Sequence, residues 1–460
     1  MSLMNNGVGP IGLNETGLSW FGLFLQSLYF VLWTAMRMVW WVFQRMLWFF
    51  SGVSHDLWAS QSAAGYRFGA HVQDIVYRFK YDEFMGASGR ANFVSVHREF
   101  VSMDYLRKDN VFLYDVNKNE AVFVEAEPGQ QLWRMEYGSF FSVNLFRYSK
   151  RMIIVPIEHF HRFAEELGDP TARLIFLPNG GRCGSTLLCQ AFQATDAAVV
   201  YSEPYALDAL SFMTGSLPQE VIDVLARDII RVLCKPVASP KKVDMFVFKP
   251  KSPQVECVTS YGRVFPNAKQ IFMWRDRRKT AESLEKLLRQ LTLVQLGRVT
   301  SAFAGTITGK LSQMKMGPHS RFSVQDVVDL CQYPIVAGLL PVAIILSAYR
   351  EFCNEGMKVV AVRYEDIVAD KEHALKAIFE YCNLDMRLLP KALDGFLKDS
   401  QAQSGFARTT LQKVKNSQWS EEARRRADAM MERHGLPPMD VPVPCEGVIS
   451  CPMEGTIYCT

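Results

Sequence analysis

Few features of this 460-residue chain point to metal or nucleic-acid chemistry. Its ten cysteines include no C-x-x-C pair and no Cys/His spacing that would build a zinc site. The formal net charge is only +4, so bulk electrostatics give no support to a nucleic-acid partner. His159 and His161 are two apart on a helical segment, where side chains do not face each other, which argues against a metal pair. The cysteines fall in apolar segments (Cys189, Cys234, Cys331, Cys382) or in the tail (Cys445, Cys451, Cys459), which leaves the redox compartment open.

Charge is also missing locally. Leu18–Met36 carries none over nineteen residues, enough helix to cover about 28 Å against a hydrocarbon core of roughly 30 Å. The apolar pattern continues to Phe50, interrupted by Arg37 and Arg45. On a continuous helix Ser19, Gln26, Arg37 and Gln44 share one azimuth and form a narrow polar stripe. The expectation is a membrane helix over residues 18–50, transmembrane or interfacial. The competing reading packs it on the remainder of the chain or pairs two copies as a homodimer. No Lys or Arg precedes residue 37, so the positive-inside rule favours a cytosolic carboxyl-terminal domain.

What the chain does have is one glycine-rich junction, Phe176–Leu188. An apolar strand, Leu174–Leu177, enters it and an apolar helix leaves it. Gly180, Gly181 and Gly184 let backbone approach a ligand, and the first-turn N–H groups of the helix face an anion there. Ser185 and Thr186 add hydroxyls, and Arg182 adds a planar cation. A nucleotide triphosphatase loop reads G-x-x-x-x-G-K-[ST]. Here Asn179 replaces the first glycine and Ser185 stands where the lysine belongs.

Four further strands follow, each ending in a polar group. Ala197–Tyr201 leads to Glu203, a carboxylate at the edge where open α/β sheets bind ligands. Val243–Lys249 ends at Lys249, with Lys251 beyond it. Lys269–Trp274 ends at Arg275, eight residues before Ser283 in the next helix. An arginine at a strand end and a hydroxyl early in the following helix can converge on one phosphate. Val359–Val362 precedes Arg363-Tyr364-Glu365-Asp366, whose acids are candidates to cap the helix Lys371–Cys382. Strands alternating with helices imply an α/β fold.

The run Arg182-Cys183-Gly184-Ser185-Thr186, together with Arg275-x₇-Ser283 behind Phe265-Pro-Asn-Ala-Lys, resembles the sulfotransferase family over about Leu174–Arg408. The resemblance implies a three-layer sandwich with a mostly parallel central sheet, a P-loop nucleoside-kinase-like fold, and 3′-phosphoadenylyl sulfate as co-substrate. It implies that Gly181–Thr186 hold the 5′-phosphosulfate and that Arg275 and Ser283 hold the 3′-phosphate. Glu203 is implied as base, Arg182 and Lys249 as neutralising cations, Tyr364 as a border of adenosine and Arg408 as part of a covering loop. Family habit would also put a membrane-anchored member in the Golgi, against the charge asymmetry. The acceptor, a hydroxyl or amine, stays unread. An ATP-using P-loop kinase or an inactive nucleotide-binding membrane protein are the alternatives.

The expected organisation is a polar stretch over 1–17, the membrane helix over 18–50, and a small β-rich accessory region over 51–170. The sulfotransferase domain follows over 171–435, then a Pro/Gly/Cys tail over 436–460. Within the accessory region Val111–Tyr114 and Ala121–Glu125 flank Asn117-Lys118-Asn119 as a hairpin. Ile335–Leu346 is apolar but too short to span a bilayer, and reads as a buried core helix.

Overall fold

The computed structural model describes residues 20–84, 86–214, 216–237, 239, 242–252, 257–291, 323, 325–326, 329, 333–397 and 414–443. Residues 1–17, Cys331, Arg408 with the covering loop expected around it, and the tail cysteines therefore lie outside the described residues.

Two five-stranded sheets organise the described chain. The first is antiparallel, in the order β2-β1-β5-β4-β3, and is built from β1 Ala70–Arg78, β2 Phe93–Val101, β3 Val111–Val116, β4 Glu120–Glu125 and β5 Arg151–Pro156. The expected hairpin is β3–β4, and Asn117 closes it by accepting from the amides of Asn119 and Glu120. The second sheet is parallel, in the order β10-β9-β6-β8-β7. Its strands are β6 Arg173–Phe176, β7 Ala198–Ser202, β8 Met245–Lys249, β9 Lys269–Trp274 and β10 Val359–Arg363. They read as continuous apolar runs because both faces are covered.

The period of two along each strand sorts side chains into layers. Ile175, Val200, Val247, Ile271 and Met273 face one way, packing with Leu188, Phe192, Leu375 and Phe379 of the helices Ser185–Ala194 and Lys371–Tyr381. Phe176, Tyr201 and Phe248 face the other way and share a core with Tyr114, Phe123 and Phe160 of the antiparallel region. Farther along that second face, Phe272 and Ala361 pack with the helices Arg277–Leu288 and Pro334–Asn354. The result is the three-layer α/β sandwich, with the antiparallel sheet sharing its core. Pro334–Asn354 is long and apolar enough to cross a membrane but is mostly buried, and so serves as a core helix. Asp370, not Glu365 or Asp366, caps the helix Lys371–Tyr381, because its side chain alone is one residue before the helix and accepts from His373 N–H at 3.0 Å.

The amino-terminal helix Trp20–Phe50 also passes the length and hydropathy test for a span. Its polar stripe from Gln26 to Gln44 is turned inward, whereas Ser19 lies outside the described residues. Gln26 Nε2 donates to the Tyr81 carbonyl at 2.5 Å, Arg37 to the Ala91 carbonyl at 2.6 Å and Gln44 to the Ser95 carbonyl at 2.6 Å.

Candidate active site

The chain order places the site. From β6 it moves to β7 and β8 on one side, then crosses to β9 and β10 on the other, so the glycine-rich loop leaves the sheet where the strand order reverses. Read along the carboxyl edge, the strands present Tyr364 after β10, Arg275 after β9, the loop after β6, Lys249 at the end of β8 and Glu203 after β7. With neighbouring strands about 4.8 Å apart, Arg275 and Lys249 flank the loop one strand away, and Glu203 lies about 10 Å from it.

The loop is fixed by Asn179. Its amide donates to the carbonyls of Leu177 (3.2 Å) and Pro250 (2.9 Å), and its oxygen accepts from Gly181 N–H (3.1 Å) and Ser252 Oγ (3.2 Å). Gly180 N–H bonds the Met273 carbonyl, and Met273 N–H bonds the Pro178 carbonyl, both at 2.8 Å. Gly181 (φ 67°) and Gly184 (φ 79°) supply left-handed backbone. A Cβ at Gly184 would stand 2.6 Å from the Tyr364 ring, so glycine is what lets that tyrosine close on the loop. Helical bonding starts when Leu188 N–H reaches the Gly184 carbonyl at 3.0 Å. The amides of Gly184, Ser185 and Thr186 precede that bond, in the first turn where helix N–H groups have no intrahelical partner and face an anion. The Cys183 side chain is fully buried in the core, where burial pushes its thiol up, leaving only its main chain for the loop.

Arg182 is held with φ 53°, and its Nε donates to Ser283 Oγ at 2.9 Å. Arg275 Nη1 donates to the Arg182 carbonyl at 3.2 Å, and its guanidinium carbon lies 4.8 Å from the Tyr364 ring centroid. Its Nε makes no hydrogen bond among the described residues and stands 4.0 Å from Glu365 Oε1. Arg182, Arg275, Ser283 and Tyr364 thus meet on one flank of the loop, although 182 positions separate the first from the last.

On the other flank Lys249 Nζ pairs with Glu203 Oε1, and both side chains are almost wholly buried. Glu203 N–H donates to the Lys249 carbonyl at 2.7 Å. Glu203 has φ 57°, left-handed backbone that costs a residue with a Cβ roughly 1–2 kcal/mol. Its Oε2 is buried and has no hydrogen-bond partner among the described residues, and neither has the neighbouring Ser202 Oγ. Left-handed backbone and a buried carboxylate oxygen with no hydrogen bond among the described residues thus coincide at this strand end. Lys251 is different: it turns away, to Asp208 (3.1 Å) and the Phe84 carbonyl (3.0 Å).

Sequence reasoning brought together Arg182, Lys249, Glu203, Arg275, Ser283 and Tyr364. It missed Asn179 and Ser252 as the loop's brace, and Glu365 beside Arg275. Asn179 carried a signal, since a polar residue in a glycine position asks what its side chain bonds; Ser252 carried none. His159 and His161 point to separate partners, the Ser60 carbonyl (2.8 Å) and Asp228 Oδ2 (2.6 Å).

No protein-family model and no curated protein matches the chain. Solved structures do. The chain is similar to sulfotransferase STF9 from Mycobacterium avium at 11% identity and a TM-score of 0.36, covering 60% of this chain and 81% of that one. It is similar to the sulfotransferase domain of the Synechococcus PCC 7002 olefin synthase at 13% identity and a TM-score of 0.31, covering 60% and 97%. A third likeness is retinol dehydratase in complex with androsterone and the inactive cofactor PAP, at 14% identity and 0.29, covering 61% and 86%. At these identities and TM-scores the likenesses say nothing of this chain's chemistry, which is read from its own residues.

Proposed function

We propose that this protein transfers a sulfuryl group from 3′-phosphoadenylyl sulfate to a hydroxyl or amine acceptor. The observation that carries the reading is the order of groups along the sheet's carboxyl edge. An anion loop with its cation inside it is flanked by a carboxylate–ammonium pair on one side and by Arg275 and Ser283 on the other. ATP, which has no 3′-phosphate, would leave Arg275 and Ser283 without a phosphate to hold, whereas a nucleotide with an additional 3′-phosphate would engage them.

In this reaction the acceptor's oxygen or nitrogen forms a bond to sulfur as the bond from sulfur to the bridging phosphate oxygen breaks. The acceptor's proton passes to Glu203, whose Oε2 has no hydrogen-bond partner among the described residues. Negative charge grows on the departing phosphate, adenosine 3′,5′-bisphosphate. In this reading the first-turn amides of Gly184–Thr186, the Ser185 and Thr186 hydroxyls and the Arg182 guanidinium receive it. Lys249, one strand from the loop and paired with Glu203, is the cation between base and leaving group. Tyr364, stacked under Arg275, is proposed to border the adenosine. Arg408 is proposed to cover it; its position lies outside the described residues.

The test is transfer of ³⁵S from labelled donor to carbohydrate, lipid, phenolic and amine acceptors. Glu203→Gln should lower turnover on the acceptor so found by roughly 10²–10⁴-fold while nucleotide affinity holds. Normal turnover in that variant would remove Glu203 from the mechanism. Magnesium-dependent transfer of the ATP γ-phosphate in place of sulfur would overturn the reading.

A further inference from the structure

The helix Trp20–Phe50 exposes more large apolar side chains than all the remaining described residues together. Its attachment to the protein body runs nearly its whole length. Besides the bonds of Gln26, Arg37 and Gln44, Ser27 Oγ meets Tyr81 Oη at 3.0 Å, and Trp40 Nε1 donates to the Ser95 carbonyl at 3.3 Å. Trp33 packs on Tyr77 and Phe79, and Trp48 on His71. From Gln26 to Gln44 the helix is therefore laid along the β1–β2 hairpin for about 27 Å.

A helix so attached cannot stand upright across a bilayer. It would either draw the hairpin's charged rim, Asp74, Arg98 and Glu99, into hydrocarbon or give up those hydrogen bonds where no water replaces them. Its length, 31 residues or about 46 Å, also exceeds the roughly 30 Å core.

The exposed face says what covers it. At 100° per residue the exposed positions other than Phe30 and Trp41 occupy an arc of about 200°, far wider than the roughly 100° stripe a helix buries in a protein partner. The middle of that arc is wholly apolar: Phe24, Leu28, Val39, Val42 and Met46 are 44–70% exposed. Its borders carry amphipathic groups. On one side Tyr29 bonds Tyr77 through their hydroxyls at 2.6 Å, and on the other Arg45 lies over Trp41 and Trp48, 5.5 and 5.6 Å from their ring centroids. No acidic residue occurs anywhere in the helix. Apolar centre, aromatic and arginine borders, and no acid are the marks of a helix lying at a lipid interface.

We propose that Trp20–Phe50 lies in the plane of a membrane, its outward arc sunk into the hydrocarbon of one leaflet, with the whole protein on one side. The α/β domain then sits against the lipid surface through the antiparallel sheet, which gives that sheet a role apart from donor chemistry.

The experiment uses the full chain with an epitope fused ahead of Met1, synthesised in the presence of sealed phosphatidylcholine–phosphatidylserine vesicles. The protein should float with the vesicles, and external protease should remove the epitope as readily as it cuts the α/β domain. Val39→Glu with Met46→Glu should lower the floated fraction roughly tenfold or more, with circular dichroism and the thermal melting midpoint unchanged. An epitope protected by the vesicle would show a span and overturn the proposal. So would a chain that stays off vesicles as a discrete dimer by light scattering, or full flotation of the double variant. None of these outcomes depends on sulfuryl transfer, so the two readings fail separately.

Discussion

Replacing Arg275 by alanine separates a 3′-phosphate site from a general anion loop. Arg275 does two things in the structure: it supports the loop by donating to the Arg182 carbonyl at 3.2 Å and stacking on Tyr364 at 4.8 Å, and it leaves Nε without a hydrogen bond among the described residues. Loss of the support affects any adenine nucleotide, by about 0.5–1.5 kcal/mol for a neutral hydrogen bond. Loss of a charge-assisted bond to the 3′-phosphate costs a further 1.5–3 kcal/mol or so, roughly 10- to 160-fold in affinity, and only for a nucleotide that carries that phosphate. Isothermal titration of wild type and Arg275→Ala with adenosine 3′,5′-bisphosphate and with AMP therefore gives a ratio of ratios. The expected outcome is a selective loss for the bisphosphate. Ser283→Ala, which removes the hydroxyl that Arg182 Nε now holds at 2.9 Å, should be non-additive with it, because the three groups form one network. An equal loss for both nucleotides would refute the assignment and reduce Arg275 to a brace.

Gly184→Ala forces left-handed backbone on a residue with a Cβ and drives that atom to 2.6 Å from the Tyr364 ring; nucleotide affinity should fall at least about fivefold, and thermal melting should show roughly 1–3 kcal/mol of lost stability. Tyr364→Ala in the same chain should relieve part of the stability loss. Lys80 is buried among Tyr114, Phe146 and Tyr205, where desolvation and then Lys251 bring its ammonium down to about 7. Above that pH the unfolded chain holds a proton that the folded chain has released, so unfolding free energy should rise with pH from about 7 toward 10. The slope approaches about 1.4 kcal/mol per pH unit relative to Lys80→Met, by urea titration. A wild-type slope equal to that of Lys80→Met would show that Lys80 stays charged.

Much of the sheet was legible because parallel strands buried on both faces need unbroken apolar runs, and those at Leu174, Ala197, Val243, Lys269 and Val359 are short and cleanly bounded. Their polar terminal groups were legible for the same reason, since a strand that ends in Glu203, Lys249 or Arg275 sets that group on the edge where the next helix begins. What could not be read were contacts between distant segments. Nothing near Ser283 announces Arg182, 101 positions away, as its hydrogen-bond partner. Nothing in Lys251 distinguishes it from Lys249, yet Asp208 draws one aside while Glu203 engages the other. The polar stripe of the first helix was visible as an azimuth, but its partners on the β1–β2 hairpin were not, because they lie about 50 residues ahead. The shared core of the antiparallel and parallel sheets was hidden likewise: Tyr114 and Phe123 look like the inside of their own hairpin until Phe176 and Phe248 join the same cluster.

The central claim, a donor site built for a 3′-phosphorylated nucleotide, is tested most directly by titrating the unmodified protein, without magnesium, with adenosine 3′,5′-bisphosphate and with AMP. The account predicts that the bisphosphate binds at least roughly tenfold more tightly, the worth of one charge-assisted contact from Arg275. Equal affinities, or binding of ATP with magnesium in preference to both, would contradict it.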